Sequence, residues 1–132
     1  MSDRRLVHVE RIAIRWGDMD AMGHVNNTVY FRFMEQARIA WFESLVPQGE
    51  PWQSTGIVIA NASCNFKRAL NYPGTVDVRV FVAPPGGSSV ATFYELAMRD
   101  ELYADGAATV VFIDMARQKP VRIPESIRAR LQ

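Results

Sequence analysis

NTVYFRFMEQARIAWFESLV, residues 27–46, is the stretch that decides the fold. It holds neither glycine nor proline, and Tyr30, Phe33, Met34, Ala37, Trp41 and Leu45 recur at the three- and four-residue steps that line one side of an α-helix. Val29, Phe31, Ile39, Ala40 and Phe42 widen that stripe until it nearly encircles the helix. A helix of this kind is expected to be buried on several sides, so other elements must wrap around it. Pro47-Gln48-Gly49-Glu50-Pro51 ends it, because two prolines and a glycine cannot continue the hydrogen-bond ladder at tolerable cost.

Strand patterns flank the helix. Before it, Val7–Trp16 alternates imperfectly, and a first strand with Ile12, Ile14 and Trp16 on one face is expected. After it, Gly56–Leu70 reads as a strand whose small residues Val58, Ala60, Ala62 and Cys64, with Phe66, share one face and let the helix approach closely. Tyr72-Pro73-Gly74 turns into Thr75–Ala83, where Val76, Val78, Val80 and Val82 alternate with polar residues. Pro84–Ser88 is a turn, and Val90, Thr92, Tyr94, Leu96 and Met98 mark the next strand, up to Asp100. Asp105-Gly106 is expected to close a second hairpin before a last strand over Ala107–Met115, and Pro124 can start a short terminal helix.

This order of elements predicts an α+β fold: an antiparallel five-stranded sheet wrapped around one long central helix, as a single domain over residues 1–132. A parallel α/β sheet would need a helix between successive strands, and no helical pattern lies between Gly56 and Met115.

Composition narrows the function classes. Fifteen Lys and Arg against fourteen Asp and Glu leave almost no net charge, so no global field draws the chain to nucleic acid or to a membrane. The apolar runs fall well short of the roughly 20 residues that a membrane helix needs. Cys64 is the one cysteine, so no intrachain disulfide can form, and the polar Met1–Arg5 start lacks the apolar core of a secretory leader. A cytoplasmic protein is expected. Two histidines and one cysteine argue against a structural zinc site, and no metal is expected.

The densest chemistry lies in Trp16-Gly17-Asp18-Met19-Asp20-Ala21-Met22-Gly23-His24-Val25-Asn26-Asn27, a polar loop that empties into the start of the helix. The first N–H groups of a helix lack partners and carry the positive end of its dipole, so they suit an oxygen that becomes negative during acyl transfer. A carboxylate just upstream could attack the polarised carbonyl or take a proton from water. Asp18 and Asp20 also suit turn formation, His24 a structural hydrogen bond, and Asn26-Asn27 helix capping. Glu35 can pair with Arg32 or Arg38, or face a cleft, and Cys64 reads as a small core residue.

At this cluster the chain resembles the hotdog-fold thioesterases of the 4-hydroxybenzoyl-CoA thioesterase type. The likeness rests on Trp16-Gly17-Asp18-Met19-Asp20, on Gly23-His24-Val25-Asn26-Asn27 with Tyr30, and on Glu35 and Arg38. It continues through Asn65–Leu70, Tyr72–Val76 and Val121–Glu125, with Ala69 where a proline often stands. The resemblance implies hydrolysis of an acyl-CoA thioester. It makes Asp20 the nucleophile or general base, the Asn27 amide the group that polarises the carbonyl, and Asp18 a support. His24, Val25, Asn26 and Tyr30 are then expected around the substrate, and Lys67 and Arg68, with Arg99 as a further cation, near the coenzyme A phosphates, although ordinary solvated charge explains these cations equally well. No cofactor is implied beyond the coenzyme A of the substrate. Homodimers with joined sheets, or homotetramers, are implied, with active sites at subunit boundaries. Two other functions share the pattern: a hotdog dehydratase or hydratase using Asp20 and His24, and a non-catalytic acyl-CoA binding module.

Overall fold

The computed structural model describes residues 3–45 and 55–132. Its elements run β1 (Arg5–Ala13), a 3-10 turn (Trp16–Asp18), α1 (Asn27–Leu45), β2 (Thr55–Phe66), β3 (Thr75–Val82), β4 (Ser89–Met98), β5 (Glu101–Asp114), β6 (Lys119–Pro120) and α2 (Glu125–Leu131). The strands form one antiparallel sheet in the order β1-β3-β4-β5-β2, and β6 pairs with β5. The sheet therefore has six described strands where five were expected. The sixth is a two-residue return that follows the turn at Gln118, whose φ is 57°. The expected break at Pro47–Pro51 lies outside the described residues.

Alternation along the strands builds the core. Val76, Val78, Val80 and Val82 of β3, Val90, Thr92, Tyr94 and Leu96 of β4, and Ala104, Ala108, Val110 and Phe112 of β5 are all buried on one face. Across that face lies α1, presenting Tyr30, Phe33, Met34, Ala37, Trp41, Phe42 and Leu45. Each fully buried Val, Leu or Phe contributes about 1.5–3 kcal/mol relative to exposure, so this helix–sheet contact dominates the stabilisation. Ile39, at 39% exposure, is the point where the apolar stripe of α1 emerges from cover.

Three expectations change. First, β1 stops at Ala13 and the chain enters the 3-10 turn, so Ile14 is buried but Trp16 is 77% exposed and shares no strand face with it. Second, Val58, Ala60, Ala62, Cys64 and Phe66 do not share one face. The register of β2 against β5 shifts between Ile59 and Asn61, leaving Ala60 as an extra residue. Such a bulge inverts the alternation, so Ile57 and Ile59 before it, and Ala62, Cys64 and Phe66 after it, lie on the helix side.

Third, Asp105-Gly106 closes no hairpin. The β4–β5 turn is Arg99-Asp100, with φ of 50° and 66°, the left-handed pair that matches the twist of two-residue hairpins. Gly106 sits inside β5, opposite Tyr94 on one side and Cys64 on the other. A Cβ there would collide with the Met34 Sδ of α1 and come within 2.8 Å of Ser63 O, so this glycine lets the helix settle onto the sheet.

Candidate active site

The loop between the 3-10 turn and α1 is held at both ends. Met19 and Val25 form an antiparallel bridge, Asp20 N donates to His24 O at 2.8 Å, and Gly23 N donates to Asp20 O at 3.0 Å. Gly23 has a φ of 82°, which only a residue without Cβ adopts freely. The tip is thus a four-residue turn with Asp first and Gly last. Val25 N donates to Leu70 O, and Asn26 N to Asp18 O, each at 2.9 Å, so the loop is laced to the segment that precedes β3.

The two aspartates are used differently. Asp18 is 3% exposed, and its carboxylate accepts from Arg15 N at 2.8 Å and from Arg15 Nη2 at 3.1 Å. Both its oxygens are spent on the 3-10 turn. Asp20 is half-buried, and its Oδ1 accepts from Met22 N at 2.9 Å, the side-chain turn that Asp favours at this position. Its Oδ2 has no hydrogen-bond partner among the described residues. One oxygen fixes the side chain while the other stays open.

The helix start is similarly divided. Asn26 is the cap: its Oδ1 accepts from Thr28 N at 2.9 Å and from Thr28 Oγ1 at 2.7 Å, and its carbonyl accepts from Val29 N at 2.9 Å. The amide of Asn27, the first helical residue, has no partner among the described residues. It lies at the positive end of a 19-residue helix, where an acceptor that gains negative charge is favoured.

The remaining residues spread outward. His24 is exposed and Val25 is buried in the core. Tyr30 is 3% exposed, and its hydroxyl donates to Arg68 O at 3.1 Å and accepts from Leu70 N at 2.9 Å. Burial pushes that hydroxyl above its ordinary pKa, against the opposing pull of the Leu70 amide. Tyr30 therefore ties α1 to the chain leaving β2. Lys67 and Arg68 are exposed just beyond β2, paired with Asp105 at 3.5 Å and Glu101 at 2.6 Å. Arg99 lies in the β4–β5 turn. Glu35 pairs with Arg32 at 3.2 Å, whereas Arg38 is 8% exposed and donates instead to Tyr94. Cys64 is half-buried, its thiol pushed up to about 11 mainly by burial, and so is unreactive near neutral pH.

Sequence reasoning missed the Met22 amide, which anchors Asp20, and Leu70, which anchors both the loop and Tyr30. The first was legible, because Asp followed three residues later by Gly is a turn signature. The second depends on a contact across 45 residues of chain between Val25 and Leu70 and left no local signal.

Comparison with known proteins shows the family of the chain. Residues 14–131 match the Thioesterase-like superfamily, and the chain belongs to that family, a group of thioester hydrolases built on the hotdog-like fold. A solved Pseudomonas aeruginosa protein, provisionally assigned as a thioesterase, is 34% identical, with a TM-score of 0.89 over 97% of this chain and 100% of that one. A Thermus thermophilus thioesterase solved with coenzyme A and zinc is 28% identical, with a TM-score of 0.82 over 96% of this chain and 92% of that one. The long-chain acyl-CoA thioesterase FadM of Escherichia coli is 24% identical over 127 residues, 92% of this chain and 95% of that one. The uncharacterized protein YsmA of Bacillus subtilis is 29% identical over 84 residues, a match that spans 64% of this chain and 56% of that one.

Proposed function

We propose that this protein hydrolyses acyl-coenzyme A thioesters, with Asp20 as nucleophile or general base and the Asn27 amide receiving the thioester oxygen. The observation that carries this reading is the pairing of an open carboxylate oxygen on Asp20 with an unspent amide at the start of α1, at the two ends of one braced loop. When the carbonyl carbon is attacked, negative charge gathers on its oxygen, and an amide at the helix N-terminus stabilises that charge without reorganising.

Two routes balance. As nucleophile, Asp20 forms a bond from Oδ2 to the acyl carbon while the carbon–sulfur bond breaks and coenzyme A leaves as a thiolate that is protonated by water; a second water then hydrolyses the mixed anhydride, releasing the acid and restoring the Asp20 carboxylate. As general base, Asp20 takes a proton from water as its oxygen adds to the carbon, and the thiolate leaves and is protonated. His24 and Asn26 then face the substrate, and the buried Val25 and Tyr30 shape its site from behind by holding the loop and the start of α1 in place. Lys67 and Arg68 meet the coenzyme A phosphates, since their exposed ion pairs are weak enough to exchange. No cofactor beyond the substrate's own coenzyme A enters this scheme.

FadM and the coenzyme A-bound Thermus thioesterase support coenzyme A as the carrier. The Gly23–Asn27 motif supports the 4-hydroxybenzoyl-CoA thioesterase type within the superfamily. The homodimer or homotetramer is part of this proposal, and it is supported by β2, an edge strand whose Val58, Ile59 and Phe66 are 41%, 37% and 45% exposed. We place the chain in the cytoplasm as one domain over residues 1–132. Among the described residues no helix is long and apolar enough to cross a membrane.

The test is thiol release from short, long and aromatic acyl-CoAs. Hydrolysis of at least one class is expected. Binding of the panel without turnover would replace this reading with a binding module, and hydration of enoyl-CoA without thiol release would replace it with a hydratase.

A further inference from the structure

Away from the Asp20 loop, a cavity of about 280 Å³ opens between α1 and β2. Its walls are largely apolar, with Phe31, Met34, Ile59 and Ala62 among them, yet Arg38 also lines it. Arg38 is more than nine-tenths buried and has no carboxylate partner among the described residues. Its Nη1 donates to the Tyr94 hydroxyl at 3.0 Å. That hydroxyl lies 2.6 Å from Thr92 Oγ1, which donates to Ala108 O at 2.8 Å. The relay fixes the guanidinium plane and uses one of its ends. Nε is buried without a partner, and Nη2 beside it makes no hydrogen bond among the described residues.

A guanidinium with its Nε–Nη2 edge free presents two parallel N–H groups, the geometry that matches the two oxygens of a carboxylate. The Tyr94 hydroxyl and the Tyr94 ring, 5.8 Å from the guanidinium carbon, are the contacts of this charge among the described residues, and neither is an anion, so a carboxylate on the other edge would offset the cost of burying it. Among the described residues, the carboxylate that lines the same cavity is Glu35, one turn back on the helix. Its carboxylate is held outward by Arg32 at 3.2 Å.

We propose that the cavity between α1 and β2 is a carboxylate-binding site, with the free edge of Arg38 as receptor and Tyr94 as the group that orients it. The proposal is independent of the Asp20 chemistry. Two sources can supply the carboxylate. One is a small molecule with a carboxylate head and an apolar body, which suits the apolar walls. The other is Glu35 of a second copy: Glu35 and Arg38 sit one turn apart on one face, so a two-fold contact would satisfy both arginines reciprocally.

Calorimetric titration with octanoate and with octan-1-ol tests the first source in the wild-type protein, Arg38→Gln and Arg38→Lys. Octanoate should bind the wild type about ten- to a hundredfold more tightly than the alcohol, and both substitutions should erase the difference, because lysine keeps the charge but not the planar edge. Sedimentation of Glu35→Gln, Arg38→Gln and the double variant tests the second. If a second copy fills the site, each single change weakens self-association alike and the double variant weakens it no further. The proposal is overturned if the wild type shows no preference for octanoate and Glu35→Gln leaves association unchanged, a result that needs no Arg38 variant to fold. Folded Arg38 variants that match the wild type in both assays overturn it equally.

Discussion

Replacing Asp20 with Asn, beside the matched change Asp18→Asn, separates chemistry from architecture within three residues. Asp20 gives one oxygen to Met22 N at 2.9 Å, a bond that an asparagine Oδ1 can also accept, so stability should change by no more than about 1 kcal/mol. The open Oδ2 becomes an amide nitrogen that can neither attack nor take a proton. Loss of a positioned base costs on the order of 10²–10⁴ in rate, equivalent to about 2.7–5.5 kcal/mol of barrier. Asp18 should behave in the opposite way. It is buried, and its two oxygens accept from Arg15 N at 2.8 Å and Arg15 Nη2 at 3.1 Å. An asparagine would turn a donor toward one of those donors, at a cost of about 1.5–3 kcal/mol and a melting point lower by roughly 5–15 °C. Thiol-release kinetics well below the lower melting point, with thermal unfolding of each variant, give both quantities. Asp20→Asn should retain its fold and its acyl-CoA affinity while kcat collapses, and Asp18→Asn should melt early while retaining most of its turnover. Folded Asp20→Asn with near-wild-type hydrolysis, or folded Asp18→Asn without any, would refute the division of labour.

Other outcomes follow from the same structure. Gly106→Ala should destabilise the protein by about 1–3 kcal/mol in denaturant unfolding, because its Cβ is driven against Met34 and Ser63 O; an unchanged midpoint would mean that α1 does not approach the sheet this closely. The Cys64 thiol, raised from 9.0 to about 11, favours the neutral form in the folded state. Its contribution is complete below pH 9 and is lost as pH rises toward 11. Cys64→Ala should flatten the alkaline stability profile over that interval, and identical profiles would count against the burial of the thiol. The exposed apolar residues on edge strand β2 lead us to expect a dimer or tetramer by sedimentation at micromolar concentration, and a monomer alone would remove the shared site.

What the sequence determined by itself was everything carried by short-range periodicity. The start of α1 at Asn27, the valine alternation of β3 and the alternation of β4 depend on residues two, three or four apart, and each appears in the structure where that spacing puts it. The α+β class was legible for the same reason and the polar loop ahead of the helix from its composition, but the lacing of that loop to Leu70 was not. What tertiary structure alone decided was register. The extra residue at Ala60, which turns Ile59 toward the helix and Val58 away, exists only because β2 must match β5. Asp105-Gly106 has the composition of a turn, yet Gly106 lies mid-strand because Met34, 72 residues earlier, needs the space. Asp18 and Asp20 look alike in one dimension, and only the fold shows that Arg15 takes both oxygens of the first and Met22 one oxygen of the second. Arg38 is the clearest case. Helical spacing allowed it to pair with Glu35, but its partner is Tyr94 on β4, since burial of that helix face brings the two together and leaves Glu35 to Arg32 outside.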